Sequence, residues 1–149
     1  MPAVCAPTSP RDPVTKGNVL DALPFVNSLV TLEMTGTQIR EVIEQGPTLE
    51  RGLVQASGLR ATYDLSRPAG KRLLDLRIGA RPVADAKTYR VATNSFLAQG
   101  GDLYQTFLRA KTVEDGGRLL SEVVMDYFRE RGHVGPPAAG RMVPDTQTR

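Results

Sequence analysis

Residues 27–45 read NSLVTLEMTGTQIREVIEQ, and this stretch decides the fold class. In its first part Val30, Leu32 and Met34 alternate with Leu29, Thr31 and Glu33, the two-residue period of a half-buried strand over residues 27–34. The period then changes. Ile39, Val42 and Ile43 fall on one face at helical spacing, which predicts a helix over residues 36–45 with Gly46 as its stop.

Upstream, residues 14–23 suit a short helix or turn with Thr15 as N-cap, and Pro24 ends it because the residue before proline is pushed off helical angles. Downstream, residues 53–65 read as a strand interrupted at Ser57-Gly58, where a bulge or a close backbone approach suits the glycine. The turn Ser66-Arg67-Pro68-Ala69-Gly70 connects it to residues 72–78, where Leu74, Leu76 and Ile78 alternate inward; together they form an antiparallel hairpin. Residues 88–94 (TYRVATN) are a further β-rich run. A last helix is predicted over residues 117–131, with Leu119, Leu120, Val123, Val124, Tyr127 and Phe128 on one stripe, Asp115 as its cap and Gly132 as its end. This mixed order of hairpins and helices is α+β, a single domain of largely antiparallel strands with flanking helices.

The chain has 149 residues, one domain's worth, with 40% hydrophobic and 23% charged side chains. The domain is expected over residues 14–131, with a flexible Pro-rich arm at 1–13 and a disordered Gly- and Pro-rich tail at 132–149. Nineteen Lys and Arg against 16 Asp and Glu leave a formal charge of +3 that no segment concentrates, so a nucleic-acid partner is excluded. No run approaches the roughly 20 apolar residues of a membrane span. The opening MPAVCAPTSP lacks the basic start and apolar run of a secretory signal. Cys5 is the one cysteine and His133 the one histidine, which excludes an internal disulfide and leaves no supply of ligands for a zinc or two-metal hydrolase.

The chemistry concentrates in residues 94–104, NSFLAQGGDLY. Gly100 and Gly101 permit positive backbone angles and a close approach to a ligand. The turn then aims the Asp102 carboxylate, which suits the paired hydroxyls of a ribose. Phe96 offers a flat apolar face to a nucleobase, a contact worth about 1–3 kcal/mol per base. The same residues also fit a plain turn beside a core phenylalanine, and the loop alone does not separate the two readings. Asn27 either offers its amide to a base edge or satisfies the start of a strand. Arg60, Arg72 and Arg77 read as the solvated face of the hairpin. Ser95 has no nearby histidine in sequence, and neither Cys5 nor His133 sits in a setting that would activate it.

Three phrases taken in order, LPFVNSLVTLEMTGTQIREVIEQG, VQASGLRATYDLSRPAGKRLLDLRIGARPV and DAKTYRVATNSFLAQGGDLY, resemble the C-terminal domain of the 5′-nucleotidase family. The resemblance covers residues 14–131. It implies a two-domain phosphomonoester hydrolase, in which an N-terminal metallophosphoesterase domain outside this chain holds two divalent metals. The C-terminal domain grips the nucleoside or nucleotide, and this chain itself binds no metal. The family's Phe-x5-Asp element falls on Phe96 and Asp102, which implies base stacking by the first and a grip on the ribose by the second, with Gly100 and Gly101 shaping the turn between them. The family's second stacking aromatic is expected before the SGLR phrase, where this chain has RGLVQ; Leu53 is the equivalent position and lacks a π-face. The family's phosphate-contacting arginines belong to an upstream Gly-Gly-x-Ile-Arg-like element, in whose place stands MPAVCAPTSPRDPVTKGN, with Arg11 alone. Family members are commonly exported. The alternative is a free-standing, non-catalytic module that binds a nucleoside or a protein.

Overall fold

The computed structural model describes residues 13–48 and 54–145. Helix α1 (Lys16–Ala22) starts on a capping box: the Thr15 hydroxyl accepts from the Asn18 amide at 3.2 Å, and the Asn18 side chain accepts from the Thr15 amide at 2.9 Å. Strand β1 (Ser28–Thr35) follows Pro24 and buries Val30, Leu32 and Met34, the set its alternation predicts. At the corner into α2 (Gly36–Gln45), Thr35 and Gln38 form a second capping box. Only glycine fits that corner, because a Cβ on Gly36 would lie 2.1 Å from the Ala84 carbonyl oxygen. Helix α2 turns Ile39, Val42 and Ile43 into the core, and each such side chain contributes about 1.5–3 kcal/mol on full burial. Gly46 does not stop the helix in a left-handed cap. It keeps right-handed angles (φ −49°), is buried, and leads into a 3-10 turn at Gly46–Thr48.

Strands β2 (Leu59–Tyr63) and β3 (Leu73–Ile78) make the expected antiparallel hairpin, with Leu59 opposite Ile78 and a register shift between Thr62 and Tyr63. The strand is shorter than residues 53–65 and begins just after Gly58, whose φ is +79°. At the hairpin's turn the buried Asp64 carboxylate accepts from the Ser66 amide (2.8 Å), the Ser66 hydroxyl (2.6 Å) and Arg67 Nε (3.3 Å). These hydrogen bonds, the Ser66 hydroxyl first, hold its pKa below the ordinary carboxylate value. Arg60 and Arg77 are exposed as expected. Arg72 is not: it is half-buried, and its guanidinium donates to the carbonyls of Pro47 (2.7 Å) and Arg67 (2.9 Å).

Strand β4 (Arg81–Pro82) pairs with β3, and β5 (Thr88–Asn94) runs antiparallel to β1 with Leu29 opposite Asn94. A short helix α3 (Ser95–Ala98) and two 3-10 turns (Gly101–Leu103 and Gln105–Arg109) follow. Residues 111–119 then form strand β6 (Lys111–Leu119) on the other edge of β1, so helix α4 (Leu120–Arg131) begins three residues later than its periodicity suggests. Asp115 therefore lies in a strand and accepts from the Ser28 hydroxyl at 3.2 Å, while α4 starts at Leu119 with no side-chain cap. In the stretch expected to be disordered, β7 (Met142–Pro144) pairs in parallel with β2.

The strands form two sheets, ordered β5-β1-β6 and β4-β3-β2-β7. The core between them joins Val30, Leu32 and Met34 of β1, the apolar face of α2, Ala61, Leu76 and Val83, and Tyr104 and Phe107 from the loop after α3. Among the described residues all strand pairs are antiparallel except β2–β7, which makes the α+β fold largely antiparallel as read from the sequence.

Candidate functional site

Strand β5 delivers the chain to the loop at residues 94–104. The Asn94 side chain caps α3 by accepting from the Leu97 amide at 2.8 Å, and the Ser95 hydroxyl accepts from the Ser28 amide at 3.1 Å. That second bond ties the end of β5 to the start of β1. Ser95 is thus a structural link, consistent with its lack of a histidine partner in sequence.

Within α3, Phe96 and Leu97 go opposite ways. Leu97 turns inward and lines an apolar cavity of about 420 Å³ with Tyr89, Val91 and Phe107. Phe96 remains 46% exposed, which places it at the surface and outside the core. Its ring lies on the backbone of Gly101, where a Cβ would come within 2.5–2.6 Å of three ring carbons. Gly100 takes φ +80°, the left-handed turn its residue type permits. The two glycines therefore have separate tasks, one bending the chain and the other making room for the ring.

Asp102 (φ +51°) and Leu103 (φ +68°) are also left-handed, a conformation that costs a non-glycine residue about 1–2 kcal/mol. Side chains around the loop hold it in place. Gln45 of α2 donates to the Leu103 carbonyl, and Gln105 Nε2 donates to the Gly100 carbonyl at 3.2 Å. Tyr104, two residues after Asp102, is buried and takes a hydrogen bond from the Val54 backbone. Burial pushes its phenol pKa up, the Val54 bond opposes this, and the Asp102 charge adds to the rise.

Asn27 lies beside this loop, one residue before the Ser28–Ser95 bond. Its backbone is used on both sides, the amide donating to the Phe25 carbonyl (2.9 Å) and the carbonyl accepting from the Leu120 amide (2.8 Å). Asn27 thus directly precedes the Ser28–Ser95 junction of β1 and β5, and Phe96, Gly100, Gly101 and Asp102 lie in the loop that leaves it, with the Phe96 ring against Gly101. Leu53 lies outside the described residues. Two residues before Asn27, Phe25 is 76% exposed, an aromatic the sequence reading did not single out. Among the described residues no group of three or more His, Cys, Asp or Glu is placed to hold a metal ion, and no helix is long and apolar enough to cross a membrane.

The family model for the 5′-nucleotidase C-terminal domain matches residues 4–109, a span that takes in the whole 94–104 loop. The chain belongs to this family. Among curated relatives, the trifunctional nucleotide phosphoesterase protein of Bacillus subtilis is 36% identical over 140 residues, covering 87% of this chain and 10% of that protein. The snake venom 5′-nucleotidase of Crotalus adamanteus is 31% identical over 143 residues, covering 87% of this chain and 24% of the relative. The crystal structure of a 5′-nucleotidase precursor from Thermus thermophilus superposes with a TM-score of 0.83 at 36% identity, covering 91% of this chain and 28% of that one. The chain thus spans about a quarter or less of these relatives, and it is the C-terminal domain of a 5′-nucleotidase-like protein.

Proposed function

We propose that this domain recognises the nucleoside part of a phosphomonoester and positions it for a dimetal 5′-nucleotidase domain outside the chain. The observation that carries the reading is the packing of the half-exposed Phe96 ring on Gly101, with the Asp102 carboxylate next in the chain. A flat apolar face and an anionic acceptor on one constrained loop match the two ends of a nucleoside, its base and its ribose hydroxyls. The names of the relatives, nucleotidase and nucleotide phosphoesterase, support the same ligand class.

In this reading Phe96 stacks on the base and Asp102 accepts from the ribose hydroxyls. Gly100 and Gly101 set the geometry between them, and the Asn27 amide meets the base edge. The second stacking face falls either to Leu53, the position equivalent in sequence, or to Phe25, an exposed aromatic two residues before Asn27. The domain's share of catalysis is positional: holding the nucleoside removes the entropic cost of bringing the ester to the reacting centre. The two divalent metals expected for the family do not fit the described residues, so no hydrolytic step is assigned to this chain's own side chains.

The test is calorimetric titration of the full chain with adenosine and with AMP, first metal-free and then with manganese, assaying released phosphate in the same samples. Binding without release is expected. Neither binding nor release would replace this reading with that of a protein-binding module. Metal-dependent release by this chain alone would overturn the division of labour.

A further inference from the structure

Three polar side chains on one stripe of α2 hold the segment from Leu103 to Arg109, which directly follows Asp102. Gln38, Glu41 and Gln45 recur at three- and four-residue spacing, so they share a face. Gln38 Nε2 donates to the Arg109 carbonyl at 2.8 Å. The Glu41 carboxylate accepts from the buried Thr106 hydroxyl at 3.2 Å and pairs with the Arg109 guanidinium, which itself donates to the Thr106 hydroxyl at 3.3 Å. Gln45 donates to the Leu103 carbonyl. The other face of α2, Ile39, Val42 and Ile43, is fixed in the core, so the stripe is a rigid rail against which the loop is set.

The last of these bonds acts where the loop is strained. Asp102 and Leu103 are consecutive left-handed residues, a state that persists only where the surroundings over-determine it. Side-chain packing does little of this at Leu103, which is 67% exposed. Gln45 engages the backbone directly at this second left-handed residue, through the Leu103 carbonyl. We infer that Gln45 is a positioning residue for sugar selectivity: by holding the Leu103 carbonyl it keeps the Asp102 carboxylate turned to the ribose hydroxyls. The inference rests on the reading of Asp102 as the ribose acceptor given above.

The probes are adenosine and 2′,3′-dideoxyadenosine, which offers the same base but no hydroxyl pair, titrated into the full chain. Gln45→Met keeps the length and helical preference of the side chain and cannot donate; Gln45→Glu keeps its shape and presents only acceptors at neutral pH. Both variants are expected to weaken adenosine binding about 3- to 10-fold, the range for one lost hydrogen bond, and to leave dideoxyadenosine binding unchanged. An equal loss for both nucleosides, or no loss for either, would overturn the inference. Asp102→Asn separates the two levels of the argument. If it abolishes the preference for adenosine while the Gln45 variants retain it, the positioning role fails and the ribose reading stands. If Asp102→Asn leaves the preference intact, the ribose reading itself fails and takes the inference with it.

Discussion

The ring of Phe96 occupies the space where a side chain at Gly101 would begin, with ring carbons 2.5–2.6 Å from the position of the absent Cβ. The Phe96 ring and the glycine turn are therefore packed as one unit. Gly101→Ala has a specific expected outcome. Because Phe96 is half-exposed, its ring can swing into solvent, so the added methyl should cost binding more than folding. Adenosine affinity should fall to the level of Phe96→Ala, about 1–3 kcal/mol below the parent chain, with little change in melting temperature. The double variant should bind no more weakly than either single one. Full additivity in that cycle would mean the two residues act separately.

Gly36→Ala should behave in the opposite way. The Cβ of an alanine there would meet the Ala84 carbonyl oxygen at 2.1 Å, and that oxygen belongs to backbone held by the Gly36–Lys87 and Thr37–Asp85 hydrogen bonds. Nothing in this corner can rotate away. The strand-to-helix junction has to open, which should cost about 1–3 kcal/mol in thermal or denaturant unfolding. A melting temperature equal to that of the parent chain would show that the corner is more yielding than its geometry indicates.

Asp64 gives the fold an acid dependence. Its native pKa is lowered by the Ser66 and Arg67 hydrogen bonds, so the unfolded chain takes up this proton at a higher pH than the folded one. The contribution is fully present above the ordinary value of 3.8 and is lost as pH falls through the lowered native value. Melting temperatures measured from pH 6 down to about pH 2 should fall less steeply at the acid end for Asp64→Asn than for the parent chain. Parallel acid limbs would remove Asp64 from this role.

Legibility in the sequence followed the range of the interactions. Strand β1 and helix α2 were readable because their apolar residues repeat within a few positions, and the glycine pair beside Asp102 marked a left-handed turn at Gly100 for the same local reason. Strand β6 was not readable. Its residues Lys111, Glu114, Asp115, Gly116 and Gly117 show no apolar alternation, and the strand exists because its backbone completes the edge of β1. Strand β7 is likewise set by a distant partner, through bonds such as that from the Ala61 amide to the Arg141 carbonyl at 2.7 Å. The hydrogen bond from Gln45 to the Leu103 carbonyl was not readable either, because it spans 58 residues of chain. Phe25 was visible as an aromatic, but exposure is a tertiary property, and without it a phenylalanine reads as core.

That exposure makes Phe25 and Leu53 rival candidates for the second face of the base, and substitution separates them. A 76% exposed phenylalanine has little packing to lose, so Phe25→Ala should leave the melting temperature within about 1–2 °C, as for other surface changes outside special features. If its ring covers the base, adenosine affinity should drop by about 1–3 kcal/mol. Leu53→Ala should then change affinity far less, since an aliphatic side chain contributes no π-face to a stack. Isothermal titration of both variants with adenosine decides the matter. A large loss at Leu53 with none at Phe25 would return the second face to the segment before Ser57-Gly58, and would leave Phe25 an exposed aromatic with no part in the site.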